Sequence, residues 1–396
     1  MRLKDISQLN PKYEGELIDG DVSFVPMESL RCGSIDLQEI SFSEAKGKYT
    51  FFANDDLLIA KVTPCFENGN IAIAKDLKEG IGFGSSEIFV LRTNELALNT
   101  YIFYVSQTSR FQDMACATMC GVGGLKRISP LIMRTYELDM PSIETQHKIV
   151  SYLDEKCGDI DSQISLLEKK RGAYTQLKKS IINKAVTQGL NPNVTMRPSE
   201  IDWIGSIPAH WKVKRGKDFL TITSGYPADS ELFTTDESKI PLVRIRDIQN
   251  TTTEVFYDGD YPEWAIISTG DLLIGMDGDF NVAMWKGDTA LLNQRVCKLE
   301  SETVDLKYVF YSIVFPLNNL NAKTNSTTVK HLSVMGIQNF FFAIPPFAEQ
   351  RAISCYLDKK CCEIDAAIEN IGKQIDAYKR LKKSLINEVV TGKRAV

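Results

Sequence analysis

Histidine is scarce in this chain. His147, His210 and His331 are the three it has among 396 residues, too few and too scattered for the usual nitrogen-and-sulfur metal centres. The nine cysteines form no CxxC pair. Cys116 and Cys120 stand four apart, Cys361 and Cys362 are adjacent, and no histidine accompanies either spacing. Free thiols in a reducing cytoplasm fit this pattern better than a metal site or a disulfide framework. No apolar run reaches membrane-spanning length, and the opening MRLKDISQLN has no signal-peptide apolar core, so a cytoplasmic chain without a membrane is expected. Net positive charge is missing as well. The formal charge is −5, which argues against non-specific coating of nucleic acid but leaves room for a local basic surface.

What the chain does have is a repeat. Sliding the sequence by 204 positions aligns residues 146–187 with 350–391 without a gap, and 21 of the 42 pairs are identical. Tyr152/Tyr356, Leu153/Leu357, Asp154/Asp358, Ile160/Ile364, Asp161/Asp365 and Tyr174/Tyr378 are among them. Upstream the offset persists at Met140-Pro141 and Ile344-Pro345, then drifts. Asp56-Leu57-Leu58-Ile59 resembles Asp271-Leu272-Leu273-Ile274, now 215 positions later. The chain is therefore two large halves, each closed by the same segment.

The closing segments read as long helices. Leu153, Cys157, Ile160, Ile164, Leu167, Tyr174, Leu177 and Ile181 recur at three- and four-residue steps. Leu357, Cys361, Ile364, Ile368, Ile371, Ile375, Tyr378, Leu381 and Leu385 do the same. Such a stripe is coiled-coil-like. Gly189 and Gly392 stand where helices stop, and Gly158 marks a place where the first can break. Helix against helix is the simplest burial for the stripes. If a pseudo-two-fold axis relates the halves, the two helices run antiparallel. The alternative is two unrelated helices, each packed on its own domain. The rest of each half is strand-rich, with short apolar runs at 56–62, 87–91 and 340–344 and helical stretches at 100–111 and 306–314, so the fold class is α+β. Residues 191–204 form a turn-rich linker.

At TQHKIVSYLDEKCGDID (145–161), EQRAISCYLDKKCCEID (349–365) and SEIDWIGSIPAHWKVKR (199–215), the chain resembles the specificity subunit of type I restriction–modification systems. The resemblance implies a target-recognition domain at 1–145, a helical spacer at 146–190, a second target-recognition domain at 205–347 and a second spacer at 348–396. It also implies that each recognition domain reads one half of a split double-stranded DNA target and that the helices set the distance between the halves. Two methyltransferase subunits would bind the helical regions and modify adenine at N6, and restriction–translocase subunits would join to cut unmodified DNA. On this reading the chain is non-catalytic, holds no metal or cofactor, and leaves S-adenosylmethionine, ATP and Mg to its partners. One departure stands out: the Trp-Ile-Gly…Ile-Pro…His-Trp segment precedes the second half, whereas the first opens at MRLKDI.

The residues themselves offer no competing chemistry. Ile344-Pro345-Pro346-Phe347 has the outline of the adenine-methyltransferase motif, but isoleucine stands where a polar acceptor is required, so it reads as a strand-to-helix turn. Gly121-Val122-Gly123-Gly124-Leu125-Lys126-Arg127 lacks Walker spacing and its Ser/Thr. That loop and its counterpart Thr327-Thr328-Val329-Lys330-His331 allow close backbone approach, and Lys126, Arg127, Lys330 and His331 are candidates for phosphate contact. Lys61, Thr63, Asn68, Asp277, Asn281, Trp285 and Arg295, in and beside the loops that follow the DLLI strands, are candidates for DNA reading. Leu153, Ile160, Ile164, Tyr174, Leu357, Ile364, Ile368 and Tyr378 are expected in the helix packing. The helical segments are basic (8 against 5 acidic over 146–190, 10 against 7 over 348–396) and the halves acidic (14 basic against 20 over 1–145, 14 against 19 over 191–347). Phosphate affinity of the isolated chain is thus expected to be weak. A coiled-coil scaffold carrying two sugar- or peptide-binding domains has the same architecture and is the alternative function.

Overall fold

Leu57-Leu58-Ile59 and Leu272-Leu273-Ile274 are fully buried, one run in each half of the chain. Strand β1 (Leu57–Ala60), paired antiparallel with β2 (Ile88–Thr93), is buried on both faces. Period-two alternation sends Leu57 and Ile59 to a helical layer with Tyr101, Ile102 and Leu153, and Leu58 and Ala60 to a second sheet with Val25 and Phe52. Strand β3 (Leu272–Gly275), paired antiparallel with β4 (Val296–Glu300), does the same. Leu272 and Ile274 join Tyr308 and Leu357, while Leu273 joins Val243 and Trp285. A strand covered on both faces has to be continuously apolar, which is why the alternation is missing from these sequences.

The computed structural model describes residues 1–121, 124–278, 280–323 and 330–396, with only the backbone at 318, 319 and 321–323. The chain divides into unit 1 (Met1–Lys169 with Gly372–Val396) and unit 2 (Lys170–Ile371). In unit 1 the sheet around β1 runs Ser7–Leu9, β2, β1, Ile71–Ile73, all antiparallel. A second sheet runs Gln38–Ser41, Asp21–Val25, Ile81–Gly84, Thr50–Ala53, with one parallel pair in its middle. Unit 2 repeats the plan. Its first sheet runs Thr221–Ser224, β4, β3, Val282–Met284, and its second has five strands with one parallel pair, Ile240–Val243 beside Ala290–Leu292. This is the expected α+β class.

Helix α1 (Asn99–Ser106) stops short of the expected helix over 100–111. Thr108 caps a separate helix, Ser109–Ala117, by accepting the Phe111 amide on its hydroxyl. The long helices are α2 (Ile143–Gln188) and, beyond α3 (Leu306–Lys323), α4 (Phe347–Val390). Gly158 does not break α2, which is continuous through it. Ile344 ends a strand and Phe347 opens α4, so the Pro-Pro pair between them is a strand-to-helix turn.

Each compact unit takes half of each long helix. In unit 1, Leu153, Cys157 and Ile160 of α2 pack with Leu385, Ile386 and Val389 of α4, with Ile164 and Tyr378 half-buried beside them. In unit 2, Leu357 and Cys361 of α4 pack with Ile181, Ile182, Ala185 and Val186 of α2. The start of one helix meets the end of the other in each unit, so the pairing is antiparallel within each. Ile364 is buried, and Tyr174 and Ile368 are half-buried.

The repeated polar residues are repeated because they make the same bonds twice. Lys382 Nζ donates to both Asp161 oxygens at 2.8 and 2.7 Å in unit 1, and Lys178 Nζ to both Asp365 oxygens at 2.7 and 2.6 Å in unit 2. Tyr104 Oη donates to Asp154 at 2.6 Å, and Tyr311 Oη to Asp358 at 2.7 Å. The Gln146 carboxamide accepts the Leu98 amide, and that of Gln350 accepts the Asp305 amide. Of the repeated Leu-Lys-Lys-Ser, whose sequence alone suggests a solvated helix face, Lys178 and Lys382 are therefore ion-paired across the helices, while Lys179 and Lys383 are exposed. The stripe corrects at one pair. Leu177 and Leu381 are exposed, 47% and 53%, because the packing passes through Ile181 and Ala185 in one copy and Ile375, Tyr378 and Leu385 in the other.

Candidate nucleic-acid interface

Beyond the end of β1 the chain turns through residues 61–70, and the glycine loop folds back onto it. The Thr63 amide donates to Lys126 O at 2.9 Å, the Ile128 amide to Lys61 O at 2.9 Å, and Cys120 pairs with Arg127. Thr63 Oγ1 donates to Gly124 O and accepts the Lys126 amide. Gly121 adopts φ +156°, and a Cβ there would lie 2.2 Å from Leu125 O, so the loop closes only around a glycine. This clamp presents Lys126 and Arg127 to solvent. Arg127 makes a fork with Glu87, Nε to Oε2 at 2.8 Å and Nη2 to Oε1 at 3.0 Å. That hydrogen bond holds the Glu87 carboxyl below its ordinary range. Lys61 lies 4.5 Å over the Phe89 ring and donates to Ser86 O. Burial pushes its ammonium below the usual lysine range against the pull of Glu87.

The same place in unit 2 is built from different side chains. The Met276 amide donates to Arg295 O at 2.8 Å, the Gly278 amide to Lys330 O at 3.0 Å and the Leu332 amide to Met276 O at 2.7 Å. The backbone frame therefore matches unit 1. On it Asp277 bridges His331 Nδ1 at 2.7 Å and Arg295 Nη1 at 3.2 Å. Glu87 stands immediately before β2 and Arg295 immediately before β4, so one structural position carries opposite charge in the two units. Sequence reasoning missed Glu87. The signal was its place before the second strand of each pair, where the drifting offset hid the equivalence.

Of the sequence candidates, Lys61, Lys126 and Arg127 come together in unit 1, and Asp277, Arg295, Lys330 and His331 in unit 2. Asn68 and Asn281 are exposed on the adjoining turns. Two candidates are corrected. Trp285 is 2% exposed within a core cluster, and its indole Nε1 donates to Asp288 O at 2.8 Å. Thr63 is buried and spends its hydroxyl on the glycine loop. Thr327 and Thr328 lie outside the described residues. No group of three metal-ligating side chains is placed to hold a metal, and no helix is long and apolar enough to cross a membrane, among the described residues.

Comparison with known proteins fits this duplicated frame. The family model described as the type I restriction modification DNA specificity domain matches residues 1–171 and again 208–376. The EcoBI type I restriction enzyme specificity subunit of Escherichia coli is 36% identical over 195 residues, 49% of this chain and 41% of that protein. The EcoEI specificity subunit of Escherichia coli is 34% identical over 168 residues, only 28% of its own length, so this chain spans less than half of either relative. The MjaVIII specificity subunit of Methanocaldococcus jannaschii is 25% identical across 80% of this chain and 75% of its own length. Among solved structures, a chain from work on complex assembly and conformational transition of the type I R-M system superposes with TM-score 0.78 at 16% identity, covering 100% of this chain and 97% of that one, and so shares the fold. With one family model matched once in each half, the chain belongs to the type I restriction–modification DNA specificity family.

Proposed function

We propose that this chain is the non-catalytic DNA-reading subunit of a type I restriction–modification complex, with each unit contacting one half of a split double-stranded target. The observation that carries this is the pair of equivalent loop clusters, Lys61/Glu87/Arg127 and Asp277/Arg295/His331, with different charges on the same backbone frame. Equivalent frames approach two half-sites alike, and unlike side chains read unlike bases. The scarcity of free cations in these clusters accords with weak DNA affinity for the chain alone. Exchange of residues 1–145 for the first domain of another family member is the test. Sequencing of methylated DNA should then show a new base sequence in one half of the motif and an unchanged other half. Changes in both halves, or in neither, would refute the assignment.

The duplicated helical segments are proposed to dock two copies of a methyltransferase partner. Exposed apolar side chains recur at the repeat interval on each: Ile143 and Phe347, Leu177 and Leu381. Equivalent apolar surfaces accept equivalent partners. Catalysis, with S-adenosylmethionine, ATP and Mg, would then reside in the methyltransferase and restriction subunits. The helices would also set the spacing of the half-sites. Inserting four residues after Glu168 and four after Gly372 lengthens each helix by about 6 Å at 1.5 Å per residue. That is just under two base pairs at roughly 3.4 Å each, so the methylated motif should gain about one or two base pairs of spacer while both half-sites stay the same. An unchanged spacer in a complex that still assembles would remove the ruler role.

A further inference from the structure

One face of the second sheet of unit 1 carries an aromatic cluster of its own. Phe42 and Phe83 are buried, and Tyr13, Tyr49 and Phe51 are half-buried around them. Tyr13 meets Phe42 at 5.3 Å and Phe51 at 5.2 Å between ring centres. A cleft of 430 Å³ opens beside these rings, lined by Tyr13, Tyr49, Phe51 and Phe83 together with Lys12, Lys46 and Asn10. None of its lining residues is acidic. Lys12 and Lys46 are exposed, and neither makes an ion pair among the described residues. The Lys46 ammonium lies 5.5 Å over both the Tyr13 and the Phe42 rings. Asn10 Oδ1 accepts the Val90 amide, which leaves the Nδ2 donors to the cleft. In a half with 14 basic residues against 20 acidic, two unpaired lysines at one aromatic cleft are a local departure.

Unit 2 has the aromatic part of this arrangement and lacks the cations. Tyr226 follows Ile222 by four residues as Tyr13 follows Leu9, and Leu9 and Ile222 pair with equivalent strands at Leu91 and Leu299. Tyr226 meets Trp264, 52% exposed, at 6.5 Å. The connection between equivalent strands is residues 42–49 in unit 1 and 258–265 in unit 2. The first carries Lys46 and Lys48 against one acid, Glu44. The second has no cation, and Asp258, Asp260 and Glu263 stand in it. The cleft of unit 1 also runs into the loop cluster described above. Strand Ile81–Gly84 brings Phe83 to the cleft and leads through Ser85 and Ser86 to Glu87, which holds Arg127. Four residues span at most about 14 Å, or about four nucleotides of one strand at roughly 3.4 Å each.

We propose that this cleft takes one unpaired nucleotide of the DNA bound by unit 1, its base against Tyr13, Tyr49 and Phe51 and its phosphate at Lys12 and Lys46. The inference rests on the DNA-reading role proposed above and adds a contact of a different kind. A paired base shows a protein only its edge, whereas an aromatic side chain binds a base through the ring face, which is free only outside the stack. Lysine supplies the charge that the phosphate needs without demanding a fixed geometry. Such a nucleotide arises in the proposed complex, because a methyltransferase extrudes its target base and leaves the opposite one unpaired. Unit 2, with acids in place of the lysines, is expected to lack the site.

The test uses the full chain at low salt and an oligothymidine carrying one 5-iodo-2′-deoxyuridine, which photo-crosslinks to aromatic side chains that it touches. Peptide mapping by mass spectrometry should find the crosslink within residues 10–13 or 46–51, and far less of it when the same oligonucleotide is paired with oligoadenine. Tyr49→Leu should weaken single-strand binding about fivefold or more, and Tyr49→Phe, which keeps the ring, should not. Lys12→Ala with Lys46→Ala should flatten the dependence of log Kd on log salt by about 1.4, at roughly 0.7 per lost phosphate contact. Crosslinks only elsewhere, equal crosslinking of the duplex, or an unchanged salt slope would overturn the proposal. So would displacement of the oligonucleotide by micromolar AMP, which would make a free nucleotide the occupant. The exchange of residues 1–145 remains a separate test. A new half-site there without a crosslink at the cleft refutes the cleft and keeps the reading role; an unchanged motif there with the crosslink here refutes the reading role and keeps the nucleotide site.

Discussion

Arg92→Leu is expected to destabilise unit 1 by about 3–5 kcal/mol, the usual result of stripping the partner from a buried charge. The Asp56 side chain is 1% exposed. Arg92 donates to it through Nε at 2.8 Å and Nη2 at 2.7 Å, and the Ala53 amide adds a third bond at 2.8 Å. Without the guanidinium the carboxylate keeps one amide and no counter-charge, beside a strand buried on both faces. The guanidinium also lies 5.6 Å over the Phe51 ring, so its loss uncovers apolar surface as well. Urea unfolding followed by circular dichroism measures the cost. The double variant Asp56→Asn/Arg92→Leu should recover part of it, because the orphaned charge is gone. A loss below about 1 kcal/mol would mean that solvent reaches Asp56 once the arginine is removed.

Asp56 also shows how far the sequence could be read. The run at 56–62 and the likeness of Asp56-Leu57-Leu58-Ile59 to 271–274 marked a strand in each half, because short apolar runs bounded by turn-forming residues suit strands; that it is covered on both faces is a finding of the structure. Nothing in the sequence names Arg92 as the partner, since that bond closes across 36 positions through the β1–β2 pairing. The long helices were legible for the opposite reason: their spacing is local and repeats every three or four residues. The same locality misled at Leu177 and Leu381. Each fits the step from its neighbours, yet the contact face drifts past it, and the sequence cannot say which side of the helix meets a partner. At the loops, exposure decided. Trp285 and Thr63 have suitable chemistry for DNA contact, but the core and the glycine loop use them. Lys126, Arg127, Arg295 and His331 remain because backbone pairing at 61–63 and 276–278 lifts them to the surface. The polar matches within the repeat, Asp161/Asp365 against Lys178/Lys382, needed the antiparallel pairing before their reason was visible: each aspartate binds the lysine of the other helix.

Leu153→Ala and Leu357→Ala should each cost about 2–5 kcal/mol, as large-to-small changes at fully buried leucines do. Both side chains have no exposed surface and both occupy the same step of the repeat. Their neighbours differ, however. Leu153 belongs to the cluster with Leu385, Ile386 and Val389, and Leu357 to the cluster with Ile181, Ala185 and Val186. Each substitution should therefore loosen its own unit. Hydrogen exchange followed by mass spectrometry is expected to show lost protection at 99–106 and 385–390 for Leu153→Ala, and at 181–186 and 306–313 for Leu357→Ala. Ile164→Asp and Ile368→Asp, at half-buried positions of the same stripe, should cost less than aspartate at 153 or 357, because water still reaches part of the introduced carboxylate. If either leucine variant instead reduced protection equally in both units, the long helices would transmit the loss and the two halves would unfold as one cooperative body.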